Sequence, residues 1–170
     1  MTEGGRLLGV ISDGDLRRLL EKRGKDALDL TAAEVMTKDP ACCTTTDSVQ
    51  QCAEMMRTHD VGSMPVVEDE GTRRLVGIIT DRDVTTKVVA PGLDPRNTRV
   101  ADVMTREPKV ARPDEELDQA MESMKDHQIR RLPVVDEQNR LVGIIAQADV
   151  ATQARDNKKT GEMVREISKP

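Results

Sequence analysis

The sequence predicts an α/β fold of the α+β kind: two tandem copies of one β-α-β-β-α unit, with a partial copy in front. Three observations carry this. The chain repeats itself: VMTKDP from Val35 returns as VMTREP from Val103, MPVV from Met64 as LPVV from Leu132, and RLVGIITDRDV from Arg74 as RLVGIIAQADV from Arg140. Within each copy the apolar period switches between that of a helix and that of a strand. Finally, 170 residues that are 36% hydrophobic can bury one sizeable core, or two small ones sharing an interface.

The leading stretch, residues 1–30, holds RLLGVISDGDL from Arg6, which aligns with RLVGIITDRDV and corresponds to only the last strand and helix of the unit. Either this start is a domain remnant or the chain was cut from a longer protein. Copy one spans 31–95 and copy two 96–156, leaving 157–170 as a tail. In each full copy a short extended piece follows VMT and a proline. Next comes a helical face, Val49, Cys52, Ala53 and Met56 in copy one and Leu117, Ala120, Met121 and Met124 in copy two, at i, i+3, i+4, i+7 spacing. Thr46 and Asp114 stand where N-caps are expected. The helices end near His59 and His127, after which VGSMPVVE and IRRLPVVD read as strands, then a turn, then the apolar strands LVGII from Leu75 and Leu141. The copies are offset by 68 from Val35 to Val103 but by 66 from Gly77 to Gly143, so copy one carries two extra residues in EDEGTRR, as a surface turn tolerates. A second helix opens at TDRDV and at AQADV.

Composition excludes several functions. With 31 acidic and 26 basic residues and a net charge of −5, the chain lacks the basic excess that binding a phosphate backbone requires, and no nucleic-acid partner is expected. It has no Phe, Tyr or Trp, so the core must be Val, Ile, Leu, Ala and Met, and aromatic stacking on a base is unavailable. No apolar run approaches the roughly 20 residues of a membrane span, and MTEGGRLLG is not a signal peptide, so no membrane partner and a cytoplasmic location are expected. Cys42, Cys43 and Cys52 form no C-x-x-C pair and have no zinc-finger spacing to a histidine, which makes them reduced, buried thiols rather than metal ligands. No nucleophile–base constellation accompanies His59 or His127, so the chain is not expected to be an enzyme. The two histidines suit a helix C-terminus or a domain junction.

The order V-M-T-x-x-P, amphipathic helix, L-P-V-V-D, then R-L-V-G-I-I-T-x-x-D-V, seen twice between residues 35 and 155, resembles the CBS domain. The closing TGEMVREISKP resembles the tail of small stand-alone bacterial CBS-pair proteins. The stretch from Arg6 to Thr37 is similar to the CBS region of arabinose 5-phosphate isomerases. The resemblance implies two copies packed about a pseudo-twofold axis with two clefts, a further pairing into a homodimer, and sensing of AMP, ADP, ATP, S-adenosylmethionine or a related ligand such as NADH on behalf of a regulated protein partner.

The candidate site is G-I-I-T-D-R-D, Gly77 to Asp83, where a hydroxyl and a carboxylate stand three residues apart across a strand-to-helix junction. Asp83 can accept both hydroxyls of a ribose, and Thr80 with the free N–H groups of the helix start can meet a phosphate, matching what the resemblance implies. The same two residue types also serve simply to cap a helix. Copy two keeps Asp149 but has Ala146, Gln147 and Ala148 in place of Thr80, Asp81 and Arg82, so the clefts are expected to be unequal, with the Thr80 one stronger. Ser12 and Asp15 repeat the spacing in the leading stretch, without a front half to complete a site. By the resemblance, Arg130 and Arg131 present guanidinium groups to phosphates, reaching those held by Thr80, or else are surface charges. A base pocket of Cys42, Cys43, Val61 and Met64 in copy one, and Lys109, Val110, Ile129 and Leu132 in copy two, is likewise implied. The apolar residues among them serve equally as plain core. The expected function is a regulatory module that binds an adenine nucleotide. The alternatives are a ligand-free dimerisation module and a regulatory fragment of a sugar-phosphate isomerase.

Overall fold

In the computed structural model the described residues are 2–3, 6–7, 31–147 and 166. Most of the leading copy, with Ser12 and Asp15, lies outside them, as do Ala148, Asp149 and all of the tail but Glu166. What is described at the start is an antiparallel pair, β1 (Thr2–Glu3) with β2 (Arg6–Leu7).

The chain divides into two compact units. One takes the residues through Met36, Asp114–Leu132 and the residues from Ile145 on; the other takes Thr37–Pro113 and Pro133–Ile144. In the first, α1 (Ala32–Val35) and α5 (Leu117–Asp126) bury Ala32, Val35, Leu117, Ala120, Met121 and Met124, all four residues of the expected α5 face among them. The Ala32 amide donates to the Glu115 carbonyl at 2.8 Å, tying α1 to the start of α5.

The second unit contains a four-stranded sheet in the order β4 (Cys43–Thr44), β5 (Ser63–Val67), β6 (Leu75–Thr80), β7 (Thr105–Arg106). Helix α2 (Val49–His59) follows β4 and lays Val49, Cys52 and Met56 on the core. The pair β4–β5 is parallel, across the helical crossover, and β5–β6 is a hairpin whose turn is the EDEGTRR segment. Buried and half-buried residues alternate along β6, as a strand with one covered face requires. β5 is buried throughout, being central. Its Pro65 is tolerated there because β4 pairs only with Val66 and Val67. After β6 come α3 (Asp81–Val84), a π-helical turn (Thr85–Val89) and α4 (Val100–Val103). The core joins Cys43, Val49, Cys52, Met56, Met64, Val66, Ile79, Val88, Val100, Val103 and Met104. A second cluster packs Val67 and Leu75 against Val135 of β8 (Arg131–Val135) and Leu141 of β9 (Leu141–Ala146), with Cys42 and Val110 beside it.

The threonine of each VMT opens a two-residue strand that periodicity does not disclose. β3 (Thr37–Lys38) pairs antiparallel with β9 of copy two, and β7 of copy two pairs with β6 of copy one, so each copy completes the other's sheet. Glycine makes this possible: a Cβ on Gly77 would stand 2.5 Å from Met104 Sδ and 2.9 Å from the Thr105 carbonyl oxygen.

Both N-cap expectations fail. Helix α2 is capped by Ser48, which exchanges hydrogen bonds with Gln51 (Ser48 amide to Gln51 Oε1 2.9 Å, Gln51 amide to Ser48 Oγ 3.2 Å). Thr46 instead hydrogen-bonds the Thr44 hydroxyl. Glu116, not Asp114, stands at the cap of α5, without a side-chain bond.

Candidate functional site

The end of β6 delivers Thr80 and the first turn of α3 delivers Asp83, and the two form a capping box. Asp83 Oδ2 accepts from the Thr80 amide at 2.9 Å and from its hydroxyl at 2.7 Å, while the Asp83 amide donates to Thr80 Oγ1 at 3.1 Å. Asp83 Oδ1 takes an ion pair from Lys87 Nζ at 2.8 Å. Burial works to raise the Asp83 pKa, but Lys87 and the Thr80 donors outweigh it and hold the carboxyl below its ordinary value. A carboxylate has about four acceptor positions. Three are taken, so a ribose diol must share with Thr80 or Lys87.

The helix start differs from expectation. Its N–H groups are not free: Asp81 donates to the Gly62 carbonyl at 3.0 Å, Arg82 to Asp81 Oδ1 at 2.7 Å, and Asp83 to Thr80. A phosphate there would have to displace the Asp81 carboxylate, which already satisfies the turn. The Arg82 side chain is exposed on the same turn.

Directly across the hairpin from Thr80 is Ser63, paired in register, so the two side chains leave the sheet on one face. Ser63 is 8% exposed, and among the described residues its hydroxyl is the buried side-chain polar atom without a hydrogen-bond partner. Ser63 belongs to no motif of the repeat. A serine between Gly62 and Met64 carries no signal that its hydroxyl is orphaned.

Of the implied base-pocket residues, Cys43 and Met64 are fully enclosed in the core and Val61 packs half-buried against it. Val110 and Cys42 flank the second cluster. The Cys52 thiol beside Cys43, together with burial, pushes the Cys43 thiol well up, and burial also raises Cys42. The cysteines are free and none belongs to a metal-binding cluster among the described residues.

In the other unit, Ala146 ends β9 where Thr80 ends β6, and the Gln147 amide donates to the Arg130 carbonyl at 3.0 Å, as Asp81 does to Gly62. The turn geometry is thus repeated without its hydroxyl. Arg130 is exposed and Arg131 half-buried, its Nη1 donating to the Arg130 carbonyl at 3.1 Å. Leu132 is buried, while Ile129 is half-buried below the end of α5. His127 caps that helix, its Nδ1 2.9 Å from the Ser123 carbonyl. Lys109 is exposed.

Two copies of one repeated unit that complete each other's sheets, with β6 of copy one ending in a capped strand-to-helix turn, define a paired-repeat module. The CBS domain family matches residues 32–90 and 100–155, and the chain belongs to that family. It is 40% identical over 135 residues to the CBS domain-containing protein YhcV of Bacillus subtilis, covering 79% of this chain and 93% of that one. Among solved structures it is similar to CBSX2, a CBS-pair protein of Arabidopsis thaliana, in complex with AMP (28% identity, TM-score 0.62, 73% of this chain and 95% of that one). It is also similar to the CBS domain pair of protein MJ0100 in complex with 5′-methylthioadenosine and S-adenosyl-L-methionine (30% identity, TM-score 0.63, 72% and 98%). Among the described residues no helix is long and apolar enough to cross a membrane.

Proposed function

We propose that this chain is a sensor of an adenine nucleotide, AMP, ADP or ATP, held at the turn between β6 and α3, with Asp83 on the ribose and Thr80 and Ser63 turned toward the phosphate side. The observation that carries the reading is the orphaned Ser63 hydroxyl. A buried hydroxyl left without a partner costs about 1–3 kcal/mol, and a ligand that hydrogen-bonds it recovers that cost. AMP, 5′-methylthioadenosine and S-adenosylmethionine, the ligands of the two relatives, share an adenosine whose ribose diol needs one well-placed acceptor, and Asp83 is ionised and partly spoken for. Arg82, with the base-side residues Val61 and Val110, completes the proposed nucleotide contacts of this turn; Arg130, Arg131, Ile129 and Asp149 are the candidates for a separate site in copy two. The bound nucleotide shifts the module between states by its differential affinity, and the shift is passed to a second copy of the chain or to a regulated protein.

Calorimetry on wild type and Ser63→Ala with AMP, ADP, ATP, NADH and S-adenosylmethionine tests this. Loss of one hydrogen bond to an anionic phosphate oxygen should weaken AMP binding about 10–150-fold while ligand-free stability is kept or raised, because the orphan is gone. Equal AMP affinity in the two proteins, or no binding of any of the five at millimolar concentration, removes the assignment.

One observation favours a second reading, a ligand-free dimerisation module: the Thr80–Asp83 box and the Asp81–Gly62 bond already satisfy the turn. A stable dimer in sedimentation that is indifferent to all five ligands would establish it. The third possibility, a regulatory piece of a sugar-phosphate isomerase, rests on the Arg6–Thr37 resemblance and is tested by the reading frame upstream of Met1.

A further inference from the structure

Lys87 lies in the π-helical turn after α3 and its ammonium makes two short contacts at once. Nζ is 2.8 Å from Asp83 Oδ1 and donates to the Val103 carbonyl oxygen at 2.7 Å. Val103 is the last residue of α4, whose carbonyl has no partner within so short a helix. Two residues later the chain becomes β7, which pairs Thr105 with Ile78 and Arg106 with Gly77 on the edge of β6. One ammonium therefore joins the carboxylate of the candidate site in copy one to the segment by which copy two completes that copy's sheet. π-helical turns are rare, and those that occur are frequently found at functional sites. No repeat signature includes Lys87, and its spacing to Val103 is not helical.

We infer that Lys87 is a positioning residue that couples the state of Asp83 to the seating of α4 and β7 on β6. When a ligand hydroxyl donates to Asp83, the carboxylate has less negative charge to offer the ammonium, and the hold on Val103 changes with it. The trigger in this statement rests on the ligand reading above; the Asp83–Lys87–Val103 bridge does not.

Hydrogen exchange of the peptide spanning Val103–Arg106, measured on the full chain as wild type, Lys87→Met, Lys87→Arg, Asp83→Asn and the Asp83→Asn, Lys87→Met double variant, tests it. Without ligand, Lys87→Met should exchange several-fold faster there, Asp83→Asn should be intermediate, and the double variant should be no faster than Lys87→Met. Lys87→Arg, which keeps a cation and its donors, should recover most of the protection, separating the bridge from general loss of fold. With AMP at a concentration saturating each protein, exchange should change in wild type and not in Lys87→Met. Wild-type protection in Lys87→Met, or an undiminished AMP response in it, overturns the inference. If wild type binds no AMP while Asp83→Asn and Lys87→Met loosen the segment non-additively, the bridge stands and the nucleotide reading falls.

Discussion

Replacing Gly77 by alanine should unseat β7 from the sheet. The added methyl would lie 2.5 Å from Met104 Sδ, 3.2 Å from its Cγ and 2.9 Å from the Thr105 carbonyl oxygen, where ordinary contact begins near 3.4 Å. The sulfur must retreat by almost an ångström, yet Met104 is only 7% exposed and belongs to the core around Met64 and Ile79. The carbonyl must move about half as far, and it belongs to backbone paired with Ile78. Overpacking of this kind costs about 1–3 kcal/mol. For a chain of this length that corresponds to a Tm lowered by roughly 2–12 °C. Differential scanning calorimetry gives the loss, and hydrogen exchange at Thr105–Arg106 gives its location. Gly77→Ala on a Met104→Ala background relieves the sulfur but not the carbonyl, so the glycine's cost should shrink without vanishing. Gly71→Ala is the control: its methyl meets only Asp69 Oδ1, at 3.2 Å in an exposed turn, and should shift stability by no more than about 0.5 kcal/mol. A Gly77→Ala protein that melts within a degree of wild type, with unchanged exchange at β7, would refute the close approach of β7 to β6.

The Asp83 carboxyl titrates lower folded than unfolded, so its contribution to stability is full above the unfolded value near pH 4 and is lost as pH falls through the lower folded value. Asp83→Asn should therefore flatten the acid limb of the stability–pH curve measured by urea denaturation, and an unchanged acid limb would show that the Lys87 and Thr80 contacts are not made in solution. Thr80→Ala removes the hydroxyl half of the box and should cost about 1 kcal/mol of stability as well as AMP affinity, whereas Ala146→Thr at the equivalent turn should not weaken the fold. Because Cys43 and Cys52 are fully buried and the Cys43 thiol is held protonated, a thiol reagent at pH 8 should react with at most Cys42 in the native protein and with all three cysteines after denaturation. Rapid native reaction at all three would mean that the β4–α2 core opens readily.

Much of the fold was legible because it is encoded over short distances. The stripes Val49, Cys52, Met56 and Leu117, Ala120, Met121, Met124 mark helices by their period alone, and the alternating burial of LVGII repeats in β6 and β9. The caps are not legible in this way, because TTTDS and PDEE each offer several acceptable residues. The choice of Ser48 depends on Gln51 completing the box from within the helix, a selection made only once the helix register is set. At the candidate site, the Thr80 and Asp83 pair was visible as a spacing, but its bonding was not.

By itself the sequence determined that one mixed α and β unit occurs twice, that its core is aliphatic, and that a hydroxyl and a carboxylate meet at one strand-to-helix turn, because repeats, periods and three-residue spacings are properties of the chain taken locally. Only the tertiary structure decided that the VMT strands cross to the opposite copy, that Ser63 is buried beside Thr80 without a partner, and that Lys87 joins Asp83 to Val103. A two-residue strand has no periodicity to read, and the partner of a hydroxyl or an ammonium is set by which backbone comes to lie beside it.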